Sequence, residues 1–409
     1  MVALLTSGWL KLQGAAALAL FLLALLTSRC HAEEHFVLCS EGNGSFQTQF
    51  RTGVAIHVGP SITGDLSTRS CEATLSWGKH TQTVSAGSSQ LDLDAFGVDL
   101  GLGAPVAAFQ VKKSPDDCCM DYLIYSLSDP PRLLRTITGG SFFSAEDTDL
   151  DSHVEIWTGD VHASDGIEDL APSDFDALPT IILRFAHGEL LDVGSEFQAF
   201  FDDRIRSLQR QLDPEGLRKF KNADGTMRSN GPESRIRLRA LKAKVIEITW
   251  CYLYSGREEE AWRFLNETWP DSDTEKIRAA IATARSHGMS TQISGVSKRV
   301  RSGRQKNAMI FDSVAQFGGR RPEVLPPEPI LMQRSALTVA TSQGISQPEV
   351  NLELVVDSAG KIRSVESTDK VKELDPSLLQ AATGWKFIPA FKNDRPVPVR
   401  TRIAVSLRQ

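Results

Sequence analysis

The sequence of 409 residues lacks the short motifs that mark most enzymes. It has no H-E-x-x-H, no phosphate-cradling glycine loop, and no Ser/His/Asp or Cys/His order that stands out. Its eight histidines are scattered, and "GLG" at Gly101–Gly103 is too short a match to weigh. These absences favour a non-enzymatic protein. Six cysteines fall in no zinc-like spacing. A net charge of −6 is small for this length, and it gives no reason to expect nucleic acid as a partner. Hydrophobic content of 41% and charged content of 23% are those of an ordinary globular chain, long enough for about two to four domains.

An apolar run of full membrane-spanning length is also missing. Lys11 is the only charge before Arg29, and "GAAALALFLLALLT" (Gly14–Thr27) is uninterrupted but short of the roughly 20 residues a spanning helix needs. Cys30 and Ala32 are small enough for signal-peptidase sites, so residues 1–32 read as a secretory signal cut after Ala32. That reading sends the chain to the periplasm. The alternative is a signal anchor that recruits Trp9–Gln13, leaving a single-pass inner-membrane protein facing the periplasm. Arg29 speaks against a lipoprotein. After export five cysteines remain, and Cys39–Cys71 is the natural disulfide candidate. For the adjacent Cys118 and Cys119, a mutual bridge, separate partners and free thiols all stay open.

What is present begins with β structure. Val54, Ile56 and Val58 alternate with polar neighbours, and "ATLSW" (Ala73–Trp77) and "DYLIYSL" (Asp121–Leu127) are strand-like runs between glycine-rich turns. Between Glu146 and Asp203, sixteen acidic residues face a single base, Arg184. Most of that excess reads as solvated surface. "DTDLDSHVEIW" (Asp147–Trp157) is more specific. It places Asp147, Asp149 and Asp151 at alternate positions with Glu155 four further on, and alternate carboxylates converge on a hard cation such as calcium. A structural polar turn, with His153 on its surface, is the other reading. The stretch 140–193 resembles an FG-GAP/VCBS-type repeat, which implies calcium ligation, although Ser152 stands where that pattern has glycine. Calcium is the only cofactor the sequence suggests.

Helical periodicity starts near Glu196. Leu241, Val245, Ile248 and Tyr252 form one apolar stripe, and Gly256 separates it from "REEEAWRFL". Residues 241–270 resemble a single tetratricopeptide helix pair. A lone pair cannot bury its own face, so it is expected to pack on the β part. From Gly295 a basic and then proline-containing stretch reads as a linker, its cations suited to the chain's own acidic region.

The C-terminal pattern is the sharpest. Val350, Leu352, Leu354 and Val356 alternate, "DSAG" (Asp357–Gly360) is a hairpin turn, and "LDPSLLQAATGWKF" reads as a helix with Asp375 as N-cap. Val397, Val399, Thr401, Ile403, Val405 and Leu407 then share one face of a last strand, with Pro398, Arg400, Arg402 and Ser406 on the other. The order is strand, strand, helix, strand. These runs, with "WKFIPA", resemble the C-terminal domain of TonB-family proteins over about sixty residues. The expected fold is multidomain α+β: a signal or anchor at 1–32, a β-rich domain at 33–195, a helical domain at 196–294, a linker at 295–348 and the TonB-like module at 349–409.

The resemblance implies a function. In the family, an exposed last strand accepts an extended segment of an outer-membrane transport component by strand addition. Carried over, the partner-binding edge is Val399, Arg400, Thr401, Arg402, Ile403, Ala404 and Val405. The partner would be an envelope protein such as a TonB-dependent outer-membrane receptor. Pro398 and the arginines are also devices that blunt an edge, so both readings stand. An anchored chain would instead be an energy transducer with ExbB/ExbD-type partners. The chain departs from that type, for it carries a large globular insertion where transducers have a long Pro/Glu/Lys spacer.

Overall fold

The structure, a computed structural model, describes residues 37–61, 69–223, 231–297, 309–313, 323–332, 349–368 and 376–406. The expected signal or anchor segment, Asp375, Leu407 and most of the expected linker lie outside them. Mixed α+β architecture is observed, with a β-rich N-terminal part followed by helices.

The N-terminal strands are β1 (Cys39–Ser40), β2 (Phe46–Gln49), β3 (Ala55–Pro60), β4 (Cys71–Trp77), β5 (His80–Ser88), β6 (Gln90–Val98), β7 (Val106–Lys112), β8 (Met120–Ser126) and β9 (Leu133–Gly140). They form two antiparallel sheets, ordered β2-β3-β4-β5 and β1-β6-β7-β8-β9. Alternation decides which side chains meet between them: Ile56, Val58 and Leu75 from one sheet pack with Leu91, Leu93 and Phe109 from the other. The Cys39–Cys71 disulfide forms, tying β1 to β4 at a Cα separation of 5.9 Å. Cys118 and Cys119 are joined to each other in the loop before β8, which settles the three readings left open.

A third sheet holds β10 (Ser144–Glu146), β11 (Glu155–Gly159), β12 (Thr180–Ala186) and β13 (Glu189–Asp192). His187 and Gly188 take positive φ to close the β12–β13 hairpin. Five helices follow: α1 (Gln198–Gln211), α2 (Pro214–Lys221), α3 (Pro232–Tyr254), α4 (Glu258–Thr268) and α5 (Thr274–His287). Gly256, at φ +76°, ends the α3–α4 corner as its position suggests. The helix pair does not bury its stripe alone. Val245, Trp250, Leu253, Ala261 and Trp269 share one core with Ile156, Leu183 and Phe185 of the third sheet. Helix α3 is therefore buried well beyond the four-residue stripe, down to Lys242, Glu247 and Thr249.

Three short strands come from the segment expected to be linker: β14 (Gly295–Val296), parallel to β13, β15 (Phe311–Asp312) and β16 (Glu328–Leu331). The C-terminal part comprises β17 (Glu349–Val356), β18 (Ile362–Ser367), α6 (Pro376–Thr383), β19 (Lys386–Ile388), β20 (Ala390–Lys392), β21 (Arg395–Val397) and β22 (Val399–Ser406). Its main sheet runs β15-β22-β17-β18, with α6 laid against β18 and Leu378, Ala382 and Trp385 in the core beneath. Gly360, at φ +87°, turns the β17–β18 hairpin. A Cβ there would lie 1.9 Å from the carbonyl oxygen of Phe387, so the position requires glycine.

Candidate functional site

The acidic turn leaves β10 and returns as β11. Leu150 and Ser152 both take positive φ, +58° and +68°, so the serine adopts the conformation for which the calcium-loop pattern uses glycine. That curl brings one carboxylate oxygen each of Asp147, Asp149 and Asp151 within 4.8 Å of one another. Asp147 is fully buried, and its Oδ2 accepts from the Ser152 amide (3.0 Å) and the Ser358 hydroxyl (2.7 Å). Its Oδ1 is buried without a hydrogen-bond partner. Burial, reinforced by the Asp151 charge, raises its pKa. An orphaned oxygen beside two further carboxylates suits the hard, oxygen-seeking character of calcium.

Glu155, the fourth expected ligand, lies outside that group. It accepts a bond from Arg184 (3.2 Å), whose other nitrogen donates to Glu196 (2.6 Å), all three being buried. Burial pushes Glu155 up to about 8 against the pull of Arg184, with Asp151 and Asp147 adding to the rise. His153 stays at the surface, its amide and ring both against Asp151.

The turn does not stand alone. The Asp147 amide donates to Asp357 Oδ2 (3.1 Å), so the acidic turn docks on the "DSAG" turn of the C-terminal hairpin. Asp357 also takes the amides of Ala359 and Lys361 and the guanidinium of Arg363, which bridges on to Glu146 (2.8 Å). Burial nevertheless lifts Asp357 to about 6. Alongside, Lys361 reaches Asp94 and Lys386 reaches Asp92, both aspartates on β6 and both buried. Tyr122 donates to Asp94 (2.6 Å) and Gln110 to Asp92 (3.2 Å). Farther along, Arg51 pairs with Asp394 and lies over the rings of Phe50 and Phe391. The C-terminal module is thus fastened to the N-terminal sheets by ion pairs, a feature with no local signal in the sequence.

The last strand, β22, pairs antiparallel with β17 over eight residues, Glu349↔Ser406 to Val356↔Val399. The Thr368 amide donates to the Asn351 carbonyl, so the odd-numbered residues of β17 address β18 and the even-numbered ones address β22. Val399, Thr401, Ile403 and Val405 therefore spend their main-chain groups on β17. Arg400, Arg402 and Ala404 turn theirs outward. On that outer side β15 covers only the beginning: Phe311 donates to the Pro398 carbonyl and Ser313 to that of Arg400, each at 3.0 Å. Among the described residues no strand pairs with Arg402 or Ala404 there. Arg400 and Arg402, both exposed, converge on Glu353 at 3.4 and 3.0 Å. Two cations thus share one anion.

No helix among the described residues is long and apolar enough to cross a membrane. The chain matches no protein-family model, no curated protein and no solved structure.

Proposed function

We propose that the chain is a non-enzymatic envelope protein whose C-terminal module captures an extended segment of a partner by strand addition along β22. The partner we propose is an outer-membrane transport component, and the setting the periplasm. The observation that carries this is the outward-facing N–H and C=O groups of Arg402 and Ala404, with which no strand among the described residues pairs. Exposed edge groups template a further strand, and main-chain bonds supply the affinity. The excess positive charge of Arg400 and Arg402 over Glu353 favours an acidic approach. The test is residue-resolved amide exchange on the full chain. Arg402 and Ala404 are expected to exchange fast alone and to become protected when solubilised outer-membrane proteins are added, while Thr401 and Ile403 stay protected throughout. Protection of Arg402 and Ala404 in the isolated chain, or unchanged partner retention by Ala404→Pro, would remove the proposal. Proline at Ile403 is uninformative, because that amide serves the module's own sheet.

We further propose calcium at Asp147, Asp149 and Asp151, supported by the orphaned Asp147 oxygen. Bound there, the ion would add positive charge beside the three carboxylates and would stiffen the turn on which Asp357 and Ser358 dock. Calorimetry of the full chain checks this, and no heat at millimolar calcium would refute it.

A further inference from the structure

A cavity of about 420 Å³ lies where the end of α3 meets α4, α5 and the edge of the third sheet. Asp160, Asp192 and Tyr254 line one side, and Ile181, Leu253 and Trp262 give it apolar walls. Asp160 is 1% exposed and Asp192 7% exposed, so both carboxyls are nine-tenths buried. The Tyr254 hydroxyl donates to Asp160 Oδ2 at 2.8 Å. Asp160 Oδ1 is buried and meets no donor in hydrogen-bonding geometry; the amides of Met289 and His162 lie close enough only to temper the rise that burial causes in its pKa. Asp192 Oδ1 takes the Gly194 amide at 2.8 Å.

Charge on this wall is one-sided. Among the described residues that line the cavity, Asp160, Asp192 and Glu258 face one base, Arg285. Arg285 is partly engaged elsewhere, its guanidinium 5.5 Å from the centre of the Tyr254 ring, though its charge still eases Asp192. Trp262 donates its indole N–H to Glu258 at 3.1 Å, which holds a third carboxylate at the rim. Two buried acids beside apolar walls form the complement of an ammonium group on an apolar body; of the two rings, Trp262 already carries Arg278 at 5.0 Å and Tyr254 carries Arg285.

We propose that this cavity binds a small organic cation, a protonated amine carrying an aliphatic or aromatic body, with Asp160 and Asp192 as its anions and Arg285 as a built-in competitor. None of the residues that line the cavity belongs to the sheet that holds β22.

Titration calorimetry on the full chain tests this with three probes of one shape: phenethylamine, neutral 2-phenylethanol and anionic 3-phenylpropionate. The amine is expected to bind one per chain and the other two not. Asp192→Asn keeps an oxygen for the Gly194 amide and should weaken the amine by roughly 10- to 100-fold. Arg285→Gln should tighten it several-fold. Ala282→Trp, at the exposed rim, should block it while leaving the melting temperature unchanged, which separates loss of binding from loss of fold. The inference is overturned if the amine gives no heat at millimolar concentration, if the alcohol binds as well, or if Asp192→Asn and Asp160→Asn both bind the amine normally. It is equally overturned if 3-phenylpropionate binds and Arg285→Gln abolishes that, since the site would then serve anions.

Discussion

Asp92 and Asp94 on β6 and the three aspartates of the Asp147 turn carry the same side chain to different ends. The β6 pair is buried under two lysines that arrive from residues 361 and 386, and every oxygen is met by a donor or a cation. The turn gathers one oxygen each of three carboxylates and leaves a buried Asp147 oxygen without a hydrogen bond. Burial of charge is tolerated in the first case because the countercharge belongs to the same chain. In the second, the countercharge we propose is calcium. One cluster is a fastener, the other a socket.

The largest effect should come from breaking the fastener. Lys386→Met leaves Asp92 buried beside an apolar side chain, and urea unfolding should show a loss of about 3–5 kcal/mol. A loss under 1 kcal/mol would mean that water already reaches the pair. The socket should respond to calcium instead. At about a hundredfold excess over Kd, calcium should add ~2.7 kcal/mol to the wild type and nothing to Asp149→Asn. An equal response from both chains would place the ion elsewhere. A third test concerns Glu155, which sits beside the acidic turn but is tied to Arg184. Its pKa rises from 4.5 to about 8, so the folded chain holds a proton that the unfolded chain gives up. The stability it contributes is full below pH 4.5 and is lost as pH rises through 8, at no more than about 1.4 kcal/mol per pH unit. Glu155→Gln, compared in chelator, should flatten the curve across that window. An unchanged slope would show that Arg184 keeps the carboxylate ionised.

The same contrast explains what could be read from the sequence. The socket is local: five residues in order, Asp147 to Asp151, announce it, and the turn geometry follows from them. The "DSAG" hairpin is legible for the same reason. The fastener is not. Leu91-Asp92-Leu93-Asp94 has the alternation of a strand half in water, yet both faces are covered, and the reason lies 267 and 294 positions away in Lys361 and Lys386. Nothing in either neighbourhood signals the other. The amine cavity was missed likewise, since Asp160, Asp192 and Tyr254 come from three separate elements. The acidic run from Glu146 to Asp203 was visible as composition, but which of its members turn inward is decided by distant partners, Ser358 for Asp147 and Tyr254 of α3 for Asp160.

Among the described residues, the two-residue strand β15 covers only the start of β22. On the strand addition proposed above, a guest would enter beyond Arg400 and end near Ser406, a stretch of six residues or about 20 Å. Only Arg402 and Ala404 lie fully inside that window with their main-chain groups outward, which limits a guest to about four new backbone bonds, each worth roughly 0.5–1.5 kcal/mol net. Such a joint holds for a moment and lets go. It suits a handle that is grasped and released repeatedly better than a permanent seam.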